Sequence, residues 1–220
     1  MNDSESSPLL DGRTSPDSAG ENVHRRVSRK PNSTIYLRIA AAMFSFLTLG
    51  LFNSSIGAVL PLISHHYSLT DLHVSLLFLL GPLGYVFAAQ SSDAIHHHFG
   101  QRGIALIGPI FQIIANLLIA LHPNFVWVLV AFAIQGLGTG LLDGSWCAWA
   151  GSMEKANTIS GLLHGSYSVG GAVGPLLVTL ITTSHRPWYI WYFILVSATV
   201  FFSFVRMLNR LCRPLNQLQN

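Results

Sequence analysis

The chain has 220 residues, of which 50% are hydrophobic and only 10% charged, with a formal charge of +3 and a mean hydropathy of +0.47. A soluble domain carries roughly 25% charged residues, so this balance excludes an ordinary soluble globule and points to a lipid bilayer as the solvent. The two cysteines, Cys147 and Cys212, lie far apart without a CxxC, which gives neither a disulfide framework nor a metal site. The basic residues surround apolar runs instead of forming a basic-aromatic module, so no nucleic-acid partner is expected.

Residues 1–35 are rich in Ser, Pro, Asp and Arg, the composition of a disordered tail. They lack the apolar run after a basic cluster that a signal peptide needs. Residues 36–206 then read as a bundle of six helices, with 207–220 as a second tail. The spans fall near 39–63, 72–91, 103–122, 125–149, 158–182 and 188–206, each long enough to cross a hydrocarbon core.

In the first span Asn53 lies between Gly50 and Gly57, with Pro61 near the outer end. The second ends in the polar "AAQSSDAIHHHFG", and the third carries Gln112 and Asn116 four residues apart. In the fourth, Gln135, Thr139 and Asp143 recur every four residues and Trp146 continues the stripe. Beside it runs a small-residue row, Gly136, Gly140, Gly144 and Ala148, which reads as a surface for close helix packing. The fifth span has a polar stripe of Ser160, His164 and Tyr167, and a row of Gly170 and Gly174 ahead of Pro175. Trp188, Tyr189, Trp191 and Tyr192 open the sixth, where interfacial aromatic residues are expected. The pair His65/His66 and the run His96–His98 lack the spacing and companion ligands of a metal site and read as loop histidines.

Orientation follows from the cations. With the N-terminus inside, Arg186 alone of the twelve Lys and Arg residues lies outside, a strong positive-inside bias. The expectation is a multi-pass integral membrane protein with both termini cytoplasmic.

An ionised Asp in hydrocarbon is costly unless paired or wetted, which makes Asp143 a functional residue by default. The fourth and fifth spans are joined by the short "SMEKANT", and counting outward from its centre sets His164 at the depth of Asp143. Two such groups at one level can share or relay a proton. The alternative is a structural hydrogen bond bracing the hairpin, and the amides Asn53, Gln112 and Asn116 can likewise be either interhelical hydrogen bonds or ligands for substrate. An enzyme is not expected: there is no GxSxG and no GxxxxGK[ST], so neither a nucleophile elbow nor a phosphate-binding loop is available.

The blocks "GLLDGSWCAWAG" and "GLLHGSYSVGGAVGP", the inner loop "FGQRG" and six spans with inside termini resemble the N-terminal half of a major facilitator superfamily transporter. The resemblance runs from about 36 to 206 and is nearest to fungal members related to sugar-proton symporters of the fucose permease type. Of that family's inner-loop motif Gly100 and Arg102 match; His97 stands where the acidic residue is expected, and Asp93 comes four residues too early.

The resemblance implies an all-α fold with a three-plus-three inverted repeat, and alternating access about a midplane site. It also implies that the first and fourth spans line the cavity while the second and fifth pack against a second bundle. The function it implies is secondary, proton-coupled transport of a small polar solute, a sugar by family likeness, without a cofactor. Asp143 and His164 are then the proton-coupling candidates, and Asn53, Gln135, Thr139, Trp146 and Tyr167 the substrate-binding ones. Gly136, Gly140, Gly144, Gly170, Gly174 and Pro175 are the packing set, and the fifth-span row is expected to face a missing partner, met by a homodimer or by a second six-helix bundle. Two other readings stay open: a half-protein that binds or regulates a full-length relative, and an intramembrane hydrolase.

Overall fold

A computed structural model describes the backbone of residues 33–211 and the side chains of residues 35–204 apart from 93, 96, 99–102 and 105. The elements are α1 Ser33–Tyr67, α2 Asp71–Ala120, α3 Phe125–Gly151, α4 Ala156–Thr183 and α5 Ile190–Leu211. In hydrocarbon, every backbone polar group must be satisfied within the segment, which these apolar stretches achieve as helices. Their hydroxyl side chains follow the same rule and donate to carbonyls one turn back, as in Ser45 to Ala41, Ser54 to Gly50 and Thr139 to Gln135. Among the described residues, four stretches are long and apolar enough to cross a membrane: Ile35–Tyr67, Asp71–Ser92, Phe125–Gly151 and Ala156–Thr183. Leu106–Ala120 and Ile190–Phe204 are shorter apolar helices. The first turn of α1, through Leu37, falls in a different unit from Arg38–Asn220, and the helical bundle is built from the latter.

The polar stretch after the second span is expected from sequence to be a loop between two helices, yet α2 is helical throughout its 50 residues. Its neighbours show that the chain nevertheless turns back. Ala88 and Ile104 share one buried cluster with Leu141, although 16 residues of straight helix would hold them about 24 Å apart. Gly140 of α3 faces Tyr85 and Ala88, while Gly138 faces Gly108 and Phe111. Two arms of α2 therefore flank α3, which makes six helical passes among the described residues. Gly100 and Arg102, in the reversal, lie outside the residues whose side chains are described.

Contacts at the ends set the directions. The hydroxyl of Tyr67, the last residue of α1, donates to the carbonyl of Pro123 just before α3, at 2.7 Å. His66 packs edge-on to His122 and to Trp188, and it belongs to the last turn of α1 instead of a loop. At the opposite end Ala42 and Phe46 cluster with Trp146, Trp149 and Ile159. The start of α1 thus meets the end of α3 and the start of α4, so α1 and α3 run antiparallel. Inside the bundle, the buried indole of Trp191 donates to Ser55 at 2.8 Å, tying α5 to α1.

Two helix crossings carry the close packing. A methyl group added at Gly50 would strike the carbonyl of Tyr167, and one at Gly170 the carbonyl of Leu47, which crosses α1 on α4. One added at Gly136 would strike the carbonyl of Gly81, and one at Gly84 that of Ala133, which crosses α2 on α3. The two sets are related by a constant shift of 86 residues: Leu47 to Ala133, Gly50 to Gly136, Gly81 to Tyr167 and Gly84 to Gly170. Gly174 against Ser54 matches Ala88 against Gly140 under the same shift. With α1 and α3 antiparallel, this is a three-plus-three inverted repeat of an all-α membrane fold.

The crossings correct one expectation. The row Gly170 and Gly174 does not face a missing partner, because α1 fills it from within the chain. Gly144 has open space where the sequence row predicts a packing contact. Pro175 lies inside α4, with its carbonyl accepting from Thr179 at 2.8 Å.

Candidate functional site

A cleft of about 240 Å³ opens between α1, α2, α3 and α4, lined by Phe46, Leu49 and Asn53, Tyr85, Thr139 and Asp143, and His164 and Tyr167. Its polar groups come from α1 (Asn53), α2 (Tyr85), α3 (Thr139, Asp143) and α4 (His164, Tyr167), the same four helices that pair through the glycine crossings of α1 on α4 and α2 on α3.

Asp143 is half-buried. The phenol of Tyr85 donates to its Oδ2 at 2.7 Å, and the thiol of Cys147, one turn on, donates to Oδ1 at 3.5 Å. On the other wall the amide of Asn53 donates to the hydroxyl of Tyr167 at 3.3 Å. His164 stands edge-on to Phe46, with ring centroids 5.5 Å apart. A phenol can donate to a carboxylate and accept from a carboxylic acid, so the Tyr85 to Asp143 contact suits either protonation state of Asp143.

Five of the residues singled out from sequence meet here: Asn53, Thr139, Asp143, His164 and Tyr167. Counting along the hairpin sets Asp143 and His164 at one depth, and both line the cleft, but the hydrogen-bond partner of Asp143 is Tyr85. Trp146 is not among the residues lining the cleft but lies in the cluster beside one of them, Phe46. It is 5% exposed and packs with Phe46, Leu163 and Trp149 in a buried cluster at the end of α3, because its large ring fills the space where α1, α3 and α4 converge.

Gln135 lines a second recess, of about 430 Å³, between α1, α2 and α3; it shares Asn53, Tyr85 and Thr139 with the first. Tyr85 is not among the residues that the sequence singles out. The signal for it is its place in "GPLGYVFAAQ": Gly81, Tyr85 and Ala88 are spaced to share one helix face, and that face meets the glycine row of α3. Cys147 is likewise legible as the residue four beyond Asp143.

Comparison with known proteins agrees with this architecture. The family profile described as Major Facilitator Superfamily matches residues 42–217. Bypass of stop codon protein 6 of Saccharomyces cerevisiae is similar to the chain, with 29% identity over 177 residues that cover 79% of this chain and 34% of the yeast protein. The chain thus spans about a third of the length of that curated relative. A profile match over most of the sequence, on a bundle that builds one crossing twice in opposite directions, means that this chain belongs to the major facilitator superfamily, a family of membrane transporters and not of enzymes.

Proposed function

We propose that the chain forms one six-helix bundle of a secondary, proton-coupled transporter that moves a small polar solute by alternating access, with the cleft as its path. Asp143 is the proton carrier, Tyr85 positions it, and His164 lies within reach of the same path. The observation that carries this reading is an ionisable Asp143 held by a phenol in an open cleft among apolar helices. A carboxylate that only braced two helices has no need of such access. Asn53, Thr139 and Tyr167 supply hydrogen bonds to the solute from the opposite and adjoining walls. Alternating access between bundles also needs a second bundle, and the yeast relative is long enough to contain one.

The test is uptake into proteoliposomes under an imposed pH gradient, using the chain together with its second bundle. Asp143→Asn keeps shape and hydrogen bonding but cannot ionise, so gradient-driven accumulation is lost while solute exchange at equal pH persists. His164→Gln gives the same result if the two groups titrate as one system. Wild-type dependence on pH in Asp143→Asn removes the carboxylate from the mechanism.

The orientation in this reading places both termini in the cytoplasm, as the distribution of Lys and Arg indicates. A C-terminal tag is then protected from an impermeant label applied to intact cells, and labelling of that tag overturns the orientation.

A further inference from the structure

Asp143 is held on both of its oxygens, by donors of unequal strength from two helices. The phenol of Tyr85 on α2 donates to Oδ2 at 2.7 Å, and the thiol of Cys147, on α3 itself, donates to Oδ1 at 3.5 Å. The titratable groups around the carboxylate are Tyr85 on α2, Cys147 on α3, and His164 and Tyr167 on α4; α1 contributes Phe46, Leu49 and Asn53, none of which titrates.

Cys147 departs from the pattern of the other small polar side chains. Ser45, Ser54, Thr139 and Ser168 each donate to the backbone carbonyl four residues back, whereas the thiol of Cys147 donates to the side chain of the residue four back. Both acceptors belong to Asp143, so a side-chain rotation exchanges one for the other. On its other side Cys147 packs against the buried cluster that contains Phe46, Leu142 and Trp146. A thiol is a weak donor that behaves there as a small hydrophobe, so giving up its bond costs little.

We infer that Cys147 is a positioning residue that holds Asp143 only while the carboxylate is ionised, whereas Tyr85 holds it in both states. An ionised carboxylate only accepts, while a carboxylic acid also donates, and a phenol can turn to accept from it. When a proton from the cleft binds at Oδ2, the phenol turns to accept from it and the charge that strengthened the bond at Oδ1 is gone. The thiol keeps its own proton, and its bond passes to the backbone carbonyl of Asp143. The neutral carboxyl is then tied on one oxygen only, and it is free to turn. That role rests on the transport reading for its use, but its test reads equilibrium infrared spectra and needs no flux.

Infrared difference spectra of the full chain in nanodiscs, in a Cys212→Ser background that leaves Cys147 as the one thiol, follow the S–H stretch and the carbonyl stretch of protonated Asp143 against pH. The S–H band is expected to move to higher wavenumber as pH falls, with the midpoint of the acid carbonyl band that Asp143→Asn removes. In Asp143→Asn the S–H band should not respond to pH. Cys147→Ala removes a donor to the ionised form, so the acid band should reach half its height at about threefold lower proton concentration. An S–H band indifferent to pH in the wild type, one that still moves in Asp143→Asn, or an unchanged midpoint in Cys147→Ala overturns the assignment. If Asp143→Asn does not fold, the coincidence of the two midpoints and the change in Cys147→Ala still decide. Wild-type uptake by Asp143→Asn in the separate flux assay removes the carrier role and leaves these spectra as they are.

Discussion

At Gly50 the backbone of α1 lies against the carbonyl of Tyr167 in α4, and 86 residues further along, Gly136 of α3 lies against the carbonyl of Gly81 in α2. The same shift carries Gly57 to Asp143, Phe78 to His164, Leu49 to Gln135 and Tyr85 to Gly171. The two halves of the repeat thus share their packing residues and divide their chemistry. Where two backbones touch, any Cβ is excluded, so both copies need glycine. Beside the crossing, side chains face a cleft and are free to differ, and the carboxylate comes from the second copy while the phenol that holds it comes from the first. This hydrogen-bonded pair is therefore made between the copies, not within either one.

The largest expected effect tests the shared packing. Gly84→Leu and Gly170→Leu occupy equivalent positions against backbone carbonyls, so each should cost about 3 kcal/mol or more through overpacking. Both should abolish the monodisperse peak in size-exclusion chromatography. Tolerance of one and not the other breaks the equivalence of the two crossings.

Next comes the divided chemistry. Tyr85→Phe removes the donor to Asp143, and hydrogen bonds to charged groups are worth about 1.5–3 kcal/mol; exposure of Tyr85 sets the expectation at the lower end. Thermal unfolding reads that loss, and the pH profile of uptake should change with it. A profile identical to wild type would assign the bond to bracing alone.

A smaller effect is expected at Trp191, whose bond to Ser55 belongs to one copy only, since the shift carries Ser55 to Leu141. Trp191→Phe should lower stability by about 1 kcal/mol, measured by the same unfolding assay. Ser55 keeps its own bond to the carbonyl of Phe52, so a much larger loss would point to repacking of the ring site.

The smallest effect is at Gly57 and Gly144, where an added Cβ meets open space. Gly57→Ala and Gly144→Ala should each change stability by no more than about 0.5 kcal/mol. A severe loss at either would mean that another surface covers it in the membrane, which a crosslinking measurement at that position would detect.

Residue order alone determined the solvent, the approximate spans, the glycine rows and the polar stripe Gln135, Thr139 and Asp143. All of these follow from local hydropathy and from the helical period, which lipid enforces by leaving backbone groups no other partner. It also carried the family resemblance. What the tertiary structure decided is which row meets which. It set Gly170 and Gly174 on α1 instead of on a missing bundle, left Gly144 facing open space and folded the two arms of α2 onto α3. It gave Asp143 to Tyr85 and set Trp146 in the buried cluster that it shares with Phe46. A period of 3.6 residues fixes the angle of a side chain about its own helix axis. The neighbour it then meets depends on the rotation and crossing point of a second helix, which no single segment of sequence contains.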